Sequence, residues 1–341
     1  METKCLNDAV LMYVKPAIGK IDSKNELVMA LTVDKQTFST KIKRGLVRVI
    51  TKRVGNENIA GYVDRSELWQ AESQDGLSWH KTSVLKITGI EKQLDKLGKE
   101  CGGKFLGLED PDIYTDEKGI KHIYFTIAFM LDKKRGYRVY LGHANGLSLD
   151  SLNASAPVMK PLKGKNRGYK EVVISPITTN RYRINLTESN DKDYSVIASA
   201  KAKNFDSPWQ PFGIPMHPKK DGKEWCAEHA SPCAILSPNF TKHGDLLVGI
   251  MNGREKSETI KDKKIYKKFR PGLFLFNPTT GEIPWIASEP LFEDPDAVTI
   301  TFASDFVELN NNEGLLYAHV NDSFVRVYKI NKKGIADMLP K

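Results

Sequence analysis

Cysteine is scarce in this chain, and its four copies stand apart from one another: Cys5, Cys101, Cys226 and Cys233. None belongs to a Cys-x-x-Cys pair, and no histidine cluster at zinc spacing lies near them. This pattern excludes a zinc ribbon and gives no sign of a disulfide framework. We therefore expect a protein of a reducing compartment, without a metal, nucleotide or flavin cofactor.

Long apolar runs are missing as well. No uninterrupted apolar stretch approaches the roughly 20 residues that a membrane helix needs. At the N-terminus, no basic stretch is followed by the apolar run of a signal peptide. These absences predict a cytoplasmic protein with no membrane partner.

Basic residues outnumber acidic ones, with 51 Lys and Arg against 42 Asp and Glu, which gives a net charge of +9. The lysines are spread along the chain except for a dense stretch at positions 261, 263, 264, 267 and 268. No DNA- or RNA-binding motif accompanies this stretch, so a solvated loop fits it better than a nucleic-acid patch. We expect no nucleic-acid partner. The surrounding segment 254–270 is either a lid over a site or a disordered insertion.

Short β-type runs separated by polar turns make up most of the chain. Aromatic residues account for 9% of the sequence and 17 prolines are scattered through it, which suits many strands and turns better than long helices. One helix is predicted at 90–97, where Gly102 and Gly103 follow as a stop signal.

The β-type runs repeat in five rounds of three or four strands. Their approximate bounds are 20–100, 105–165, 168–215, 225–292 and 295–335. Radial repetition of four-stranded sheets is how a β-propeller protects its strand edges. The pattern predicts an all-β chain that folds as a single five-bladed β-propeller domain over residues 1–341. A stacked sandwich is the alternative, although five sandwich-like units would be unusual in one chain.

The most informative stretch for function is Gly-Leu-Glu-Asp-Pro-Asp-Ile-Tyr at 107–114. Because Pro111 restricts the residue before it to extended geometry, Glu109 and Asp110 should lead directly into a strand. Adjacent residues of an extended chain point to opposite faces. We therefore expect one carboxylate to react and the other to hold backbone, with Asp110 as the reacting group. An acidic loop stabilised by local side-chain hydrogen bonds is the alternative.

Four stretches, in this order, resemble motifs of glycoside hydrolase family 130, the five-bladed propeller mannoside phosphorylases and mannosidases. They are Ser-Gln-Asp-Gly-Leu-Ser-Trp at 73–79, Gly-Leu-Glu-Asp-Pro at 107–111, Tyr-Lys-Glu-Val-Val-Ile-Ser-Pro at 169–176 and Leu-Tyr-Ala-His-Val-Asn-Asp at 316–322. The resemblance implies that Asp110 donates a proton to the glycosidic oxygen and that Lys170 contacts phosphate or sugar. It also implies that Asp75 and Asp322 hold sugar hydroxyls.

Two departures from the family pattern bear on the reaction. Asp112 stands where the family has an arginine after Glu-Asp-Pro, and Met-Asn-Gly at 251–253 replaces its Tyr-His-Gly. Phosphate recognition favours arginine forks and other cations, so these losses favour a divergent hydrolase. Arg254 could partly compensate, which keeps a β-mannoside phosphorylase using inorganic phosphate as the alternative.

An inverting hydrolase needs a protonated carboxyl group and a carboxylate, about 6.5–9.5 Å apart. We pair Asp110 with Glu228, which opens a later strand in Trp-Cys-Ala-Glu-His-Ala at 225–230, and we keep Glu171 as the reserve base. His229 either orients Glu228, binds a hydroxyl or is structural. The predicted substrate-binding residues are Asp75, Glu109, Lys170, Glu171, His229, Asn252, Arg254 and Asp322.

Two other functions fit the same pattern less well. A propeller without catalysis could bind glycan or protein through its funnel, and the lost family residues make that credible. A relative of the arabinanase and fructosidase propellers would need a first-blade aspartate, but Asp22 and Asp34 lack the expected Asp-Pro context. The favoured hypothesis is a glycoside hydrolase whose partner is an oligosaccharide, a β-mannoside or a related sugar chain.

Overall fold

The structure is a computed structural model and describes residues 1–21, 26–131, 136–162, 166–179, 181–206 and 208–341. Most of the described elements are β-strands, and they form five groups within which chain neighbours pair antiparallel. Asp22, the first-blade aspartate of the arabinanase hypothesis, lies outside the described residues.

The elements follow one another in a regular order. The chain opens with β1 (Thr3–Asn7) and β2 (Val10–Tyr13). The first group is β3 (Leu27–Val33), a 3-10 turn (Lys35–Thr37), β4 (Lys43–Val54), β5 (Val63–Ser73) and β6 (His80–Val84). After β7 (Ile87–Thr88) and helix α1 (Ile90–Cys101), the second group is β8 (Lys104–Thr115), β9 (Lys121–Met130), β10 (Tyr137–Gly146) and β11 (Leu152–Met159).

The later groups repeat this plan with insertions. The third group is β12 (Lys170–Val173), β13 (Arg183–Asp191), β14 (Tyr194–Ala202) and β15 (Gln210–Met216), followed by α2 (Pro218–Asp221) and a 3-10 turn (Glu224–Cys226). The fourth is β16 (His229–Ile235), β17 (Lys242–His243), β18 (Leu246–Arg254), β19 (Glu258–Ile260), β20 (Lys263–Ile265), β21 (Phe269–Phe276) and β22 (Trp285–Ile286). The fifth is β23 (Thr301–Glu308), β24 (Glu313–Val320) and β25 (Phe324–Asn331), and α3 (Lys332–Met338) follows.

Burial along the strands follows the sequence pattern. All seven residues of β3 are buried, as expected for a continuous apolar run with both faces covered. In β5, burial alternates over the first half of the strand, but two of its buried positions there, Asp64 and Ser66, are polar. The predicted helix at 90–97 is confirmed, and it continues to Cys101, where Gly102 ends it with a φ of 65°.

Five large apolar clusters lie between successive groups, and each has members from both neighbours. Examples are Leu46 and Phe125 for the first and second groups, Leu141 and Ala198 for the second and third, Leu186 and Phe274 for the third and fourth, Val248 and Tyr328 for the fourth and fifth, and Val325 and Val47 for the fifth and first. Burial of apolar surface between the groups is therefore what stabilises their arrangement.

The first strand of each group contacts the first strand of the next. β3 lies against β8, β8 against β12, β12 against β16, β16 against β23, and β23 against β3. The prediction of a mostly β fold is confirmed, and the count of five blades stays a prediction.

The N-terminal strands join the fifth group, which the sequence pattern did not indicate. β2 pairs antiparallel with β25, and β1 pairs with β2. The two ends of the chain are thereby tied into one sheet. No helix in the described part of the chain is long and apolar enough to cross a membrane.

Candidate active site

A cavity of about 560 Å³ lies where the first strands of the five groups meet. Every group contributes a lining residue from its first strand or directly beside it: Met29, Asp110, Glu171, His229 and Ile300. The site is therefore assembled from segments that are far apart in sequence.

Two bulges bring carboxylates into this cavity. The pairing of β8 with β9 loses register after Glu109, and that of β12 with β13 loses register after Lys170. At the bulges, Asp110 and Glu171 each have a φ of 48°, a left-handed conformation that is uncommon for residues other than glycine. Such conformations cost free energy and cluster at functional sites, and bulges re-aim side chains there.

Glu109 and Asp110 share one partner. Arg48, from β4, donates through Nη1 to Oδ1 of Asp110 at 2.8 Å and lies with Nη2 3.0 Å from Oε1 of Glu109. The expectation that the two carboxylates point to opposite faces was wrong. The expectation of an extended backbone at Asp110 was also wrong, because its φ is 48°. The bulge interrupts the alternation of the strand, so both side chains line the cavity.

Arg48 is a site residue that motif reasoning missed. It is buried, and although burial opposes the charge, Glu109 and Asp110 raise its pKa further above the usual range. The available signal was a charged residue inside the apolar run Leu-Val-Arg-Val-Ile at 46–50. A buried arginine needs paired carboxylates, so such a residue indicates an internal ion-pair network.

Burial pushes two of the cavity carboxyls towards their protonated forms. It raises the pKa of Glu109 to about 7, against the opposing charge of Arg48. Burial and, after it, the charge of Asp110 raise the pKa of Glu171 well above its ordinary value. Asp110 accepts a hydrogen bond from Arg48 instead. Burial thus favours the neutral forms of Glu109 and Glu171 in this part of the cavity.

A second ion-pair group also lines the cavity. Glu188 of β13 lies 3.5 Å from Nζ of Lys170 and 3.1 Å from Nε2 of His229. Burial opposes ionisation of Glu188, but His229 and Lys170 lower its pKa to about 2. Burial lowers the pKa of His229 in spite of Glu188, so Lys170 supplies the positive charge at neutral pH. Glu188 was not predicted, because it lies mid-strand without a motif.

Asp322 also lines the cavity, as its predicted role requires. Nε2 of His319 lies 3.2 Å from its Oδ1, and the hydroxyl of Tyr62 donates to its Oδ2 at 3.4 Å. Burial opposes ionisation, but His319 and nearby arginines lower its pKa. Asp322 is therefore an anionic hydrogen-bond acceptor in the cavity wall.

Asp75 and Asn252 lie outside the cavity wall. The carboxylate of Asp75 accepts the backbone N–H groups of Leu77 and Ser78, each at 2.8 Å, and so stabilises a turn. Asn252 is fully buried and exchanges two hydrogen bonds with the backbone of Ala303 at 2.8 and 2.7 Å. The structure places these side chains where they stabilise the fold.

Glu228 is likewise absent from the cavity wall. Its carboxylate lies 2.5 Å from Nζ of Lys264 and 3.3 Å from Nη2 of Arg254, and it accepts hydrogen bonds from Ser257. Burial opposes the shift, but Lys264 and Ser257 lower its pKa. The structure does not bring Glu228 to the wall beside Asp110.

The lysine-rich segment at 254–270 forms a strap beside the cavity. β19 and β20 make a hairpin, and Lys264, Tyr266 and Lys267 from this segment line the cavity. The strap is joined to the loop of the first group, because Ala60 donates to the carbonyl of Lys264 and Tyr266 to that of Asn58, both at 2.9 Å. Of the two alternatives for this segment, the lid-like one agrees with the structure.

Asp112, the residue at the family's arginine position, is not in the cavity wall. Burial and then the charge of Asp305 raise its pKa to about 7, while Lys35 opposes the shift. Lys35 in turn lies 3.1 Å from Asp305.

Within the described residues, no cluster of His, Cys, Asp and Glu is arranged to hold a metal ion.

No protein-family model and no curated protein sequence matches the chain. Solved structures do share its fold. The β-1,2-mannobiose phosphorylase from Listeria innocua, in complex with β-1,2-mannobiose, has a TM-score of 0.68 at 14% identity, over 97% of this chain and 99% of that one.

Two further structures are similar. One represents the GH130 family of mannoside phosphorylases, which contains glycoside hydrolases that target β-1,2 mannosidic linkages in Candida mannan; its TM-score is 0.67 at 16% identity, with 97% of both chains covered. The other is MPT-4, a mannose phosphorylase from Leishmania mexicana in complex with a phosphate ion, with a TM-score of 0.53 at 14% identity over 93% of this chain and 89% of that one. The fold agrees with the family that the four sequence motifs resemble.

Proposed function

We propose that this chain is a glycoside hydrolase that cleaves β-mannosides or related oligosaccharides by an inverting mechanism, with its five groups of strands acting as the blades of a five-bladed β-propeller. The observation that carries the proposal is the pair Asp110 and Glu171. Both side chains line one cavity and both are placed by a bulge; burial and the charge of Asp110 favour the protonated form of Glu171, whereas Asp110 accepts a hydrogen bond from Arg48. Separated protonation states identify the acid and the base of a site.

Glu171 replaces Glu228 as the partner of Asp110 in this proposal. Glu228 is neutralised by Lys264 and Arg254 away from the cavity wall, whereas Glu171 lines it. In the unliganded protein, burial and the charge of Asp110 favour the protonated form of Glu171, so Glu171 is the proposed acid, and Asp110, which accepts a hydrogen bond from Arg48, is the proposed base. On hydrolysis, the protonated member gives its proton to the leaving oxygen, and the ionised member takes one from the attacking water.

Other cavity residues are proposed to bind the sugar. Asp322 and Glu188 are ionised and accept hydroxyl groups, while Lys170 and Arg254 donate to sugar oxygens. Arg254 lies 4.1 Å from the ring centroid of Tyr266, which fixes its guanidinium beside the cavity. A dense set of charged donors and acceptors is what recognition of a polyhydroxylated ligand requires.

A β-mannoside phosphorylase is the second candidate, and one observation favours it. Among the described residues, seven cationic side chains line the cavity, which would suit a phosphate ion beside the sugar: Arg48, Arg167, Lys170, Lys192, Arg254, Lys264 and Lys267. Two of the proteins with a similar fold are phosphorylases. In that reaction, phosphate rather than water attacks the sugar.

The test is product analysis with β-mannobiosides, with and without inorganic phosphate. Free mannose in both conditions supports the hydrolase, whereas mannose 1-phosphate formed only with phosphate establishes the phosphorylase. Sugar binding without any product would overturn both and indicate a glycan-binding protein.

A comparison of substrates with different leaving groups identifies which carboxyl group acts as the acid. The variant that lacks the acid should retain cleavage of a dinitrophenyl glycoside, whose leaving group needs no proton, but lose cleavage of an alkyl glycoside. Glu171→Gln and Asp110→Asn are compared in this way, with Asp75→Asn as the control outside the cavity.

A further inference from the structure

A second, smaller groove adjoins the cavity. It has a volume of about 300 Å³ and lies between the strands of the first group and those of the second. Its apolar lining comes from Val54, Val63, Leu106 and Met130, and Leu106 lines the main cavity as well. The two spaces are therefore neighbours, with one leucine between them.

Three cations complete the groove lining: Lys52, Arg65 and Lys104. None of its described lining residues is acidic, and almost all of the surface that faces the groove is apolar, with the three cations exposed to solvent. Lys52 of β4 and Arg65 of β5 are direct cross-strand partners. Like charges opposite each other weaken a strand pair, and a bound anion would relieve that repulsion.

The neighbouring position on the same two strands shows the contrast. Arg53 is the cross-strand partner of Asp64, and their side chains form two hydrogen bonds of 2.8 and 2.7 Å. At Lys52, Arg65 and Lys104, no acidic side chain of the described chain completes an ion pair. The β4–β5 ladder therefore pairs Arg53 with Asp64 but leaves Lys52 and Arg65, like Lys104 of β8, without an ion-pair partner among the described residues.

We propose that this groove binds an anionic substituent, a sulfate, phosphate or carboxylate group, carried by the sugar chain whose end occupies the main cavity. The identity of the carrier rests on the proposed function; the affinity for an anion rests on the groove itself. Arginine and lysine are the side chains that bind oxyanions best, and the apolar floor packs against the stems of the cations and the C–H face of a sugar ring. Because Leu106 lines both the main cavity and the groove, one sugar chain could occupy both.

The experiment compares neutral manno-oligosaccharides with the same chains bearing one sulfate or one phosphate ester, by calorimetric titration at low salt. The wild type should bind the anionic forms about tenfold or more tightly than the neutral ones, and the preference should shrink as salt is raised. The variant Lys52→Gln/Arg65→Gln/Lys104→Gln should lose the preference and keep neutral binding.

The matched control is Lys41→Gln/Lys203→Gln/Lys242→Gln, which removes the same charge from exposed positions outside both spaces. It should keep the preference for anionic sugars. Thermal melting gives a second readout, because removing the opposed Lys52 and Arg65 charges should leave the melting temperature unchanged or higher.

The outcomes separate this inference from the proposed function. If neutral sugar chains are cleaved and anionic ones are not preferred, the proposal of anion binding in the groove is wrong, while the proposed hydrolase function stands. A preference that depends on the three cations, without cleavage, supports the groove and overturns the enzyme. A further outcome is that inorganic sulfate, a single-stranded oligonucleotide or phosphatidylserine vesicles are bound as tightly as the anionic sugars, in a way that depends on the same three cations. That result would show that the occupant is not an anion carried by a sugar.

Discussion

Asp110 and Glu171 have the same backbone φ of 48°, each at a bulge in the first strand of its group. Both line the same cavity, and after burial the charge of Asp110 is the main cause of the raised pKa of Glu171. The repeated bulge thus creates an electrostatic pair from residues on two different strands.

Removing Asp110 should make Glu171 more acidic. In Asp110→Asn the neighbouring negative charge is gone, so the pKa of Glu171 should fall. Carboxyl NMR titration of the labelled protein measures it, and Asp75→Asn should leave the titration of Glu171 unchanged. An unaltered Glu171 titration in Asp110→Asn would show that the charge of Asp110 does not act on Glu171.

Arg48 should be required for folding as well as for the site. Arg48→Met leaves Glu109 and Asp110 buried without their cation, and we expect a loss of about 3–5 kcal/mol in the free energy of unfolding. Urea unfolding measures the loss. The double variant Arg48→Met/Glu109→Gln should recover part of it, because one buried carboxylate has then been neutralised. Equal stability of Arg48→Met and wild type would contradict the paired arrangement.

Glu228 should matter less to turnover than Asp110. Glu228→Gln weakens the anchorage of the strap through Lys264 and Arg254, so we expect a change of about tenfold or less in kcat/KM. Asp110→Asn should lose at least about 100-fold, the usual contribution of a catalytic acid or base. The control is Glu258→Gln, which breaks an exposed strap ion pair with Lys267. A loss in Glu228→Gln as large as that in Asp110→Asn would restore Glu228 as the base.

His143 should make stability depend on pH. Burial and then the neighbouring His122 lower its pKa to about 3, from an ordinary value near 6.5. Between these two pKa values, His143 binds a proton in the unfolded chain but not in the folded protein. The free energy of unfolding therefore decreases as the pH falls from about 6.5 towards 3. One such group contributes a slope of about 1.4 kcal/mol per pH unit within that window.

The control for this slope is His143→Gln, which keeps hydrogen-bonding atoms near His122 and Ser155 but cannot titrate. Unfolding free energies at pH 7.5, 5.5 and 4.5 should fall less steeply in the variant than in the wild type. Parallel slopes would show that His143 is already protonated in the folded protein.

The sequence by itself determined the strands and part of the site. Strand periodicity and turn residues are local properties, so the mostly β fold and α1 could be predicted from them. The Lys-Glu motif opens β12, whereas Glu-Asp-Pro lies within β8 at its bulge; both motifs pointed to the site, and the structure places Asp110, Lys170 and Glu171 in the cavity wall.

Only the tertiary structure decided which groups meet. Arg48 and Glu188 carry no motif, and they reach the cavity because strands from different groups converge there. Glu228 looked equivalent to Asp110 in the sequence, yet its carboxylate is bound by Lys264 and Arg254 of the strap. Charge pairing between distant segments depends on packing and on bulges, and neither is encoded in the spacing of neighbouring residues.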